Sequence, residues 1–330
     1  MRPITIFSGQ WTDLPLDVFA AKAKSWGYDG IEVACGAHLS PEKAAKDKKY
    51  CRKILNLFEK NGLSLYAISN HLAGQLVCDP DNDSRTDTFA PKRCAGNAEA
   101  KRAWAVEQMK ITAAAAENLG VKVVTGFTGS PIWHMLYSFP PVSEQMIEDG
   151  FAFVAEMWNP ILDVFRDHGI RFALEVHPTE IAFDIITAKR TLEVLDNRPE
   201  FGFNFDPSHL YWQMMNPACF IREFPERIYH VHIKDAARTL DGRTGILASH
   251  LDFGKAGRGW DFRSPGHGGV NFEEIIRELN RTGYTGPLSV EWEDSGMDRE
   301  YGAADASAFA HKLNFPTSQI KFDAQMKNND

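Results

Sequence analysis

The sequence of 330 residues has little of what marks several common protein classes. No apolar run reaches the roughly 18 residues a membrane-spanning helix needs, so no helical span is expected and the membrane is not an expected partner. Basic side chains are outnumbered, 36 Lys and Arg against 44 Asp and Glu, for a formal charge of -8. A surface of that sign repels phosphate backbones, so nucleic acid is not an expected partner either. Cysteine is scarce: Cys35, Cys51, Cys78, Cys94 and Cys219 make an odd number with no C-x-x-C pair. They read as reduced, mostly packed thiols of a cytosolic protein. The start, MRPITIFSGQ, lacks the apolar stretch of a secretory signal, and a cytoplasmic location is expected. No Ser/Gly-rich linker divides the chain, so one domain is expected over 1–330, with a peripheral tail after about 315. The stretch GKAGRGWDFRSPGHGG lacks the G-K-[ST] ending and does not join a strand directly to a helix, so it is not a nucleotide loop.

What the chain does have is alternation from end to end. Strand-like apolar runs occupy 4–9, 30–35, 63–71, 121–127, 171–177, 201–206, 227–235 and 287–294. Helical patterns follow them over 16–26, 42–61, 97–119, 144–168, 187–197, 217–223, 271–282 and 302–314. Glycine stands where helix gives way to strand, as in NLGVKVV and DHGIRFA. Eight repeats of strand then helix predict an α/β fold, a single (β/α)8 TIM barrel. Two connections are long, from His71 to about Gly96 after the third strand and from Asp235 to Gly269 after the seventh. Such loops are usually lids or binding walls.

The fifth to eighth strands end on Glu175 (ALEVHP), Asp206 (GFNFDPSH), His232 (YHVHIKD) and Glu291 (LSVEWED). Strand-ends are where a parallel barrel keeps its chemistry. Singly, each could be a helix cap or half of an ion pair. Together, three carboxylates at one mouth would repel unless a cation neutralised them. Three carboxylates and an imidazole suit one divalent cation with room for a substrate oxygen. His71, His177 and Lys234 also stand at strand-ends and are expected to bind substrate. Trp133 and His134, in GFTGSPIWH, read as a substrate wall, with His134 a further catalytic candidate. Arg258, Trp260, Arg263 and His267 read as a lid, with Arg263 on the substrate; the competing readings are a solvated surface loop and a subunit contact.

The segments LEVHPTE, FDPSH, HVHIKD and VEWED resemble the xylose-isomerase-like TIM-barrel superfamily, in its sugar isomerase/epimerase branch of AP-endonuclease-family-2 type. The resemblance implies that Glu175, Asp206, His232 and Glu291 are ligands of one metal ion, usually Mn²⁺, with Mg²⁺, Co²⁺ or Zn²⁺ as alternatives. It makes Glu175 and Glu291 the acid/base pair and His209 a substrate contact, and it puts the second Glu of the epimerase pattern near Glu180, another substrate contact. The expected activity is isomerisation or epimerisation of a ketose, keto-sugar or inosose through an enediolate: one carboxylate takes a proton and the other returns it. The alternative is a lyase or dehydratase that eliminates a group beta to a keto function, keto-glycoside cleavage included; His134, His71 or Tyr137 would then serve the leaving group. An apurinic-site endonuclease would need several metals and a basic groove, which the charge of -8 opposes. A non-enzymatic sugar-binding protein would be signalled by a missing ligand carboxylate, and none is missing. The partner is therefore a small-molecule sugar, and the chain is expected to form a homo-oligomer, with a subunit of another kind as the alternative.

Overall fold

Eight parallel strands close on themselves in this computed structural model, whose described residues are 1–81 and 83–320. They are β1 (Ile4–Phe7), β2 (Gly30–Ala34), β3 (Ser64–Ser69), β4 (Val123–Gly126), β5 (Arg171–Glu175), β6 (Phe201–Phe205) and β7 (Ile228–Ile233), with the eighth arriving after an inserted hairpin. The hairpin strands are β8 (Asp235–Arg238) and β9 (Trp260–Arg263), and the last barrel strand is β10 (Leu288–Val290). Around the barrel the order is β1, β10, β7, β6, β5, β4, β3, β2. The predicted (β/α)8 barrel is thus the observed fold.

Alternation along the strands sorts side chains between two layers, because successive residues point to opposite faces. The inward set reveals itself by contacts across the barrel. Glu32 of β2 reaches Thr125 of β4, His230 and His232 of β7 and Ser289 of β10, none of which belongs to a neighbouring strand of β2. The alternating residues, such as Val231 and Ile233, join the apolar core. Part of that core lies between barrel and helices: Trp158, in the helix Glu144–Asp167, packs its ring 4.4 Å from Phe172 of β5. The helix Ala98–Leu119 starts on an Asn97 side-chain cap and stops at Gly120, whose φ of 74° is left-handed and suits glycine.

Three expectations need amendment. The helix expected over 42–61 is two helices, Pro41–Lys46 and Lys48–Lys60, because Asp47 leaves the helical region to cap the second. The long loops are partly built. The first opens with a helix, His71–Gln75, and the second folds back as the antiparallel pair β8–β9, with Asp235 opposite Arg263 and Arg238 opposite Trp260. Asp235 anchors that arm by accepting the backbone N–H groups of Ala236, Gly266, Gly268 and Val270 at 2.8 to 3.1 Å. Gly268 has to be glycine there, since a Cβ would lie 2.2 Å from the Asp235 carboxylate. Of the tail after 315, residues 321–330 lie outside the described residues. Among the described residues no helix is long and apolar enough to cross a membrane, and the five cysteines are unpaired.

Candidate metal centre and substrate cavity

Strand register brings the four strand-end donors to one point. Glu175 ends β5, Asp206 follows β6, His232 lies in β7 and Glu291 follows β10. One donor atom from each lies within 4.8 Å of the others, and all four residues are buried. Asp206 caps the helix Pro207–Trp212: its Oδ1 accepts the N–H and hydroxyl of Ser208, both at 2.7 Å. Its Oδ2 has no hydrogen-bond partner among the described residues, nor has Oε2 of Glu291. That Oε2 lies 2.8 Å from Nδ1 of His232 without a hydrogen bond forming between them. Buried carboxylate oxygens are costly to leave unpaired, and these two are free where the other donors converge. The donor set therefore fits a divalent cation, both in chemistry and in its unspent lone pairs.

Cations and hydrogen bonds tune the carboxylates differently. Burial alone would raise Glu175, but His209, His71 and His232 hold it well below the usual carboxylate range. Burial would also raise Glu291, and Lys234, 3.2 Å from its Oε1, leads the groups that bring it down. Burial pushes Asp206 up, only partly offset by His209 and Lys234. Burial pushes His177 well down, and the neighbouring His209 adds to this.

Above the donors opens a cavity of about 830 Å³. His71, His177, His209 and Lys234 line it, as do Glu175 and Glu291. His71 Nε2 lies 3.0 Å from Glu175 Oε2, and His209 Nε2 lies 3.3 Å from Glu175 Oε1. The two long connections supply opposing walls: Leu72 and Phe89 on one side, Phe253, Trp260 and Phe262 on the other. Trp260 stacks on Trp212 at 4.4 Å with their planes 4° apart.

Three expected site residues stay out of this cavity. Glu180 is fully buried and is not among the residues that line it. Its Oε2 accepts the N–H groups of Thr128 and Gly129, both at 2.7 Å, so the carboxylate holds the turn after β4. Burial pushes this carboxyl up to about 8. His134 is exposed on the connection after β4, beside Trp133, which is covered by Arg85 at 5.4 Å. Arg263 falls to the alternation of β9: Trp260 and Phe262 face the cavity, so Arg263 faces away and donates to the Phe262 carbonyl at 2.8 Å. Arg258 and His267 are also outside it, the first over the rings of Phe253 and Trp260, the second 2.8 Å from Asp305.

Gln10, Glu293 and Glu32 were not singled out from the sequence. Gln10 Nε2 donates to Glu291 Oε1 at 2.7 Å, and Glu293 Oε1 accepts from Lys234 at 3.3 Å. Glu32 lies under the donors, 3.1 Å from Nε2 of His232. A lone acid in the apolar run GIEVA was the available signal, because barrel strands are ordinarily apolar throughout.

Residues 20–313 match the family described as xylose isomerase-like TIM barrel. An inosose dehydratase of Clostridium botulinum (strain Alaska E43) is 34% identical over 170 residues, 52% of this chain and 54% of that protein. The chain thus spans about half the length of this curated relative. Among solved structures, the probable 3-DHS dehydratase AsbF of Bacillus anthracis has a TM-score of 0.67 at 15% identity, covering 94% of this chain and 98% of that one. The apo 3-keto-D-glucoside 4-epimerase YcjR of E. coli has a TM-score of 0.65 at 14% identity, covering 94% of this chain and 100% of that one. At such identities the structures speak for the fold alone. The family match extends across most of the sequence, and the chain belongs to the xylose isomerase-like TIM barrel family.

Proposed function

We propose that the protein is a divalent-metal-dependent isomerase or epimerase of a ketose, keto-sugar or inosose. The observation that carries this reading is the convergence of Glu175 and Glu291, which line one cavity, with the buried Asp206 and His232. These four would hold the cation, with Mn²⁺ the first candidate and Mg²⁺, Co²⁺ and Zn²⁺ the others. When bound, it supplies Lewis-acid polarisation of a substrate carbonyl, which acidifies the neighbouring C–H. Glu175 takes that proton and Glu291 returns one from the other side, which inverts the carbon or moves the carbonyl. His71 bonds Glu175 and fixes its orientation, and His209 flanks it. Lys234 faces developing oxygen charge. The aromatic walls keep water from the reacting carbon.

Dehydration is the second reading, favoured by the inosose dehydratase similarity and by His71 in the cavity, where it can protonate a leaving group. Two of its other candidate acids, His134 and Tyr137, are exposed on the connection after β4 and do not line the cavity. Incubating ketoses, 3-keto-glycosides and inososes with the Mn²⁺-loaded protein in D₂O separates the two. Isomerisation leaves the carbon skeleton and composition intact with deuterium at one carbon. A product that has lost water or an aglycone would overturn the isomerase reading in favour of the lyase.

A further inference from the structure

The interior of a β/α barrel is ordinarily filled by layers of branched apolar side chains. Directly beneath the four donors this barrel carries a polar layer instead. Glu32 is fully buried, and its carboxylate is surrounded by donors from three other strands. Thr125 Oγ1 donates to Oε1 at 2.5 Å. Ser289 Oγ donates to Oε2 at 2.8 Å, and the Nε2 atoms of His230 and His232 lie 2.8 and 3.1 Å from the same oxygen.

A carboxylate in the centre of a barrel is costly unless every lone pair is used, and an apolar layer would hold the barrel at least as well. The arrangement therefore calls for a reason other than stability. His232 provides the link. Its Nε2 faces down to Glu32, while its Nδ1 faces up, 2.8 Å from Glu291 Oε2 and 3.5 Å from Glu175 Oε2. A neutral imidazole has one N–H and one lone pair. A carboxylate that accepts the N–H at Nε2 leaves the lone pair on Nδ1.

We propose that Glu32 is a positioning residue, which fixes the tautomer and ring orientation of His232 so that Nδ1 presents its lone pair to a cation held with Glu175, Asp206 and Glu291. Thr125, Ser289 and His230 lock Glu32 in that pose. The inference rests on the metal-dependent reading above. It also answers a rival arrangement. Glu32, His230 and His232 have donor atoms within 4.8 Å of one another and could hold a cation of their own. Both Glu32 oxygens already accept hydrogen bonds, and a cation there would have to displace them.

The test is calorimetric titration of the full chain with Zn²⁺ alone, joined to ¹H–¹⁵N spectra of the histidines in the Zn²⁺-loaded protein. One cation should bind per chain, and the His232 Nε2 proton should exchange slowly. Glu32→Gln should weaken Zn²⁺ binding about 10- to 100-fold and speed the exchange of that proton. If this variant does not fold, Ser289→Ala removes one of the bonds that hold Glu32 and should weaken binding and speed the His232 Nε2 proton exchange in the same direction, by less than the about 10- to 100-fold loss of a direct partner. A folded variant with lowered thermal stability but unchanged affinity and unchanged His232 signal would reduce Glu32 to a structural residue and overturn the proposal. Two cations in the wild type, one of them lost in Glu32→Gln, would overturn it in favour of the rival site. A wild type that binds no cation would remove the metal-dependent reading itself, and the proposal with it.

Discussion

Replacing Glu180 with Gln should stabilise the protein in mildly alkaline solution and leave it nearly unchanged in acid. Glu180 is fully buried, and its carboxyl is pushed from 4.5 up to about 8 by burial and by the nearby Asp79, against the pull of its bonds to Thr128 and Gly129. In the unfolded chain the group loses its proton at the ordinary value. Between that value and about 8 the folded protein therefore holds a proton the unfolded chain has released. Stability is fully present below 4.5, falls as pH rises through this window, and levels off above about 8. Each pKa unit is worth about 1.4 kcal/mol, so the whole loss is on the order of 5 kcal/mol. Gln never ionises. Its amide oxygen can keep the N–H groups of Thr128 and Gly129, and its NH₂ can donate to Thr179 Oγ, 3.2 Å from Glu180 Oε1. Urea denaturation of both proteins at intervals from about pH 4 to pH 9 reads the difference directly, the repulsion between Glu180 and Asp79 included, since Gln removes it. The curves should coincide in acid and diverge upward for the variant. Parallel profiles, or a variant less stable than wild type at about pH 8.5, would refute the reasoning and mean that Glu180 is a carboxylate stabilised by its turn.

Other outcomes follow from the same geometry. Glu175→Gln should lose cation binding and turnover together, measured by metal content after dialysis and by substrate deuterium exchange; retention of both would remove Glu175 from the centre. Chelation should abolish turnover, and added Mn²⁺ should restore it. Trp260→Ala should raise KM about three- to tenfold through loss of an aromatic wall, whereas Arg263→Ala should leave KM and kcat unchanged. Trp158→Ala, a cavity-forming change between barrel and helix, should cost about 3–5 kcal/mol in urea denaturation while leaving cation affinity intact.

The barrel was legible because its signals repeat: eight apolar runs, each followed by a helical pattern, with glycine at the joints. The donor set was legible for a related reason. A ligand-type residue at the end of four consecutive strands fixes both height and direction, since a strand-end leaves little freedom. Direction was lost once a residue lay in a turn. Glu180 is five residues past Glu175, and nothing in its spacing told that the turn at Gly129 would offer it two N–H groups. His134 shares its connection with β4 but the chain carries it out to solvent. Arg263 is different, because alternation with Trp260 and Phe262 would have turned it away had β9 been recognised as a strand. Glu32 was hidden by plainness: one acid in a strand reads as surface until the barrel closes around it.

The anchoring of the β8–β9 arm has a consequence for how selectivity can change in such a barrel. Both ends of the arm meet at Asp235, whose carboxylate ties the outgoing residue Ala236 to the returning Gly266, Gly268 and Val270. Everything between those points contributes Phe253, Trp260 and Phe262 to the cavity but none of the four converging donors. Reactivity and recognition are thus encoded in different stretches of chain, joined through a single residue. The arm is a cassette: an exchange with junctions at Asp235 and Gly268 could replace the aromatic wall wholesale while the barrel beneath keeps its register and its chemistry.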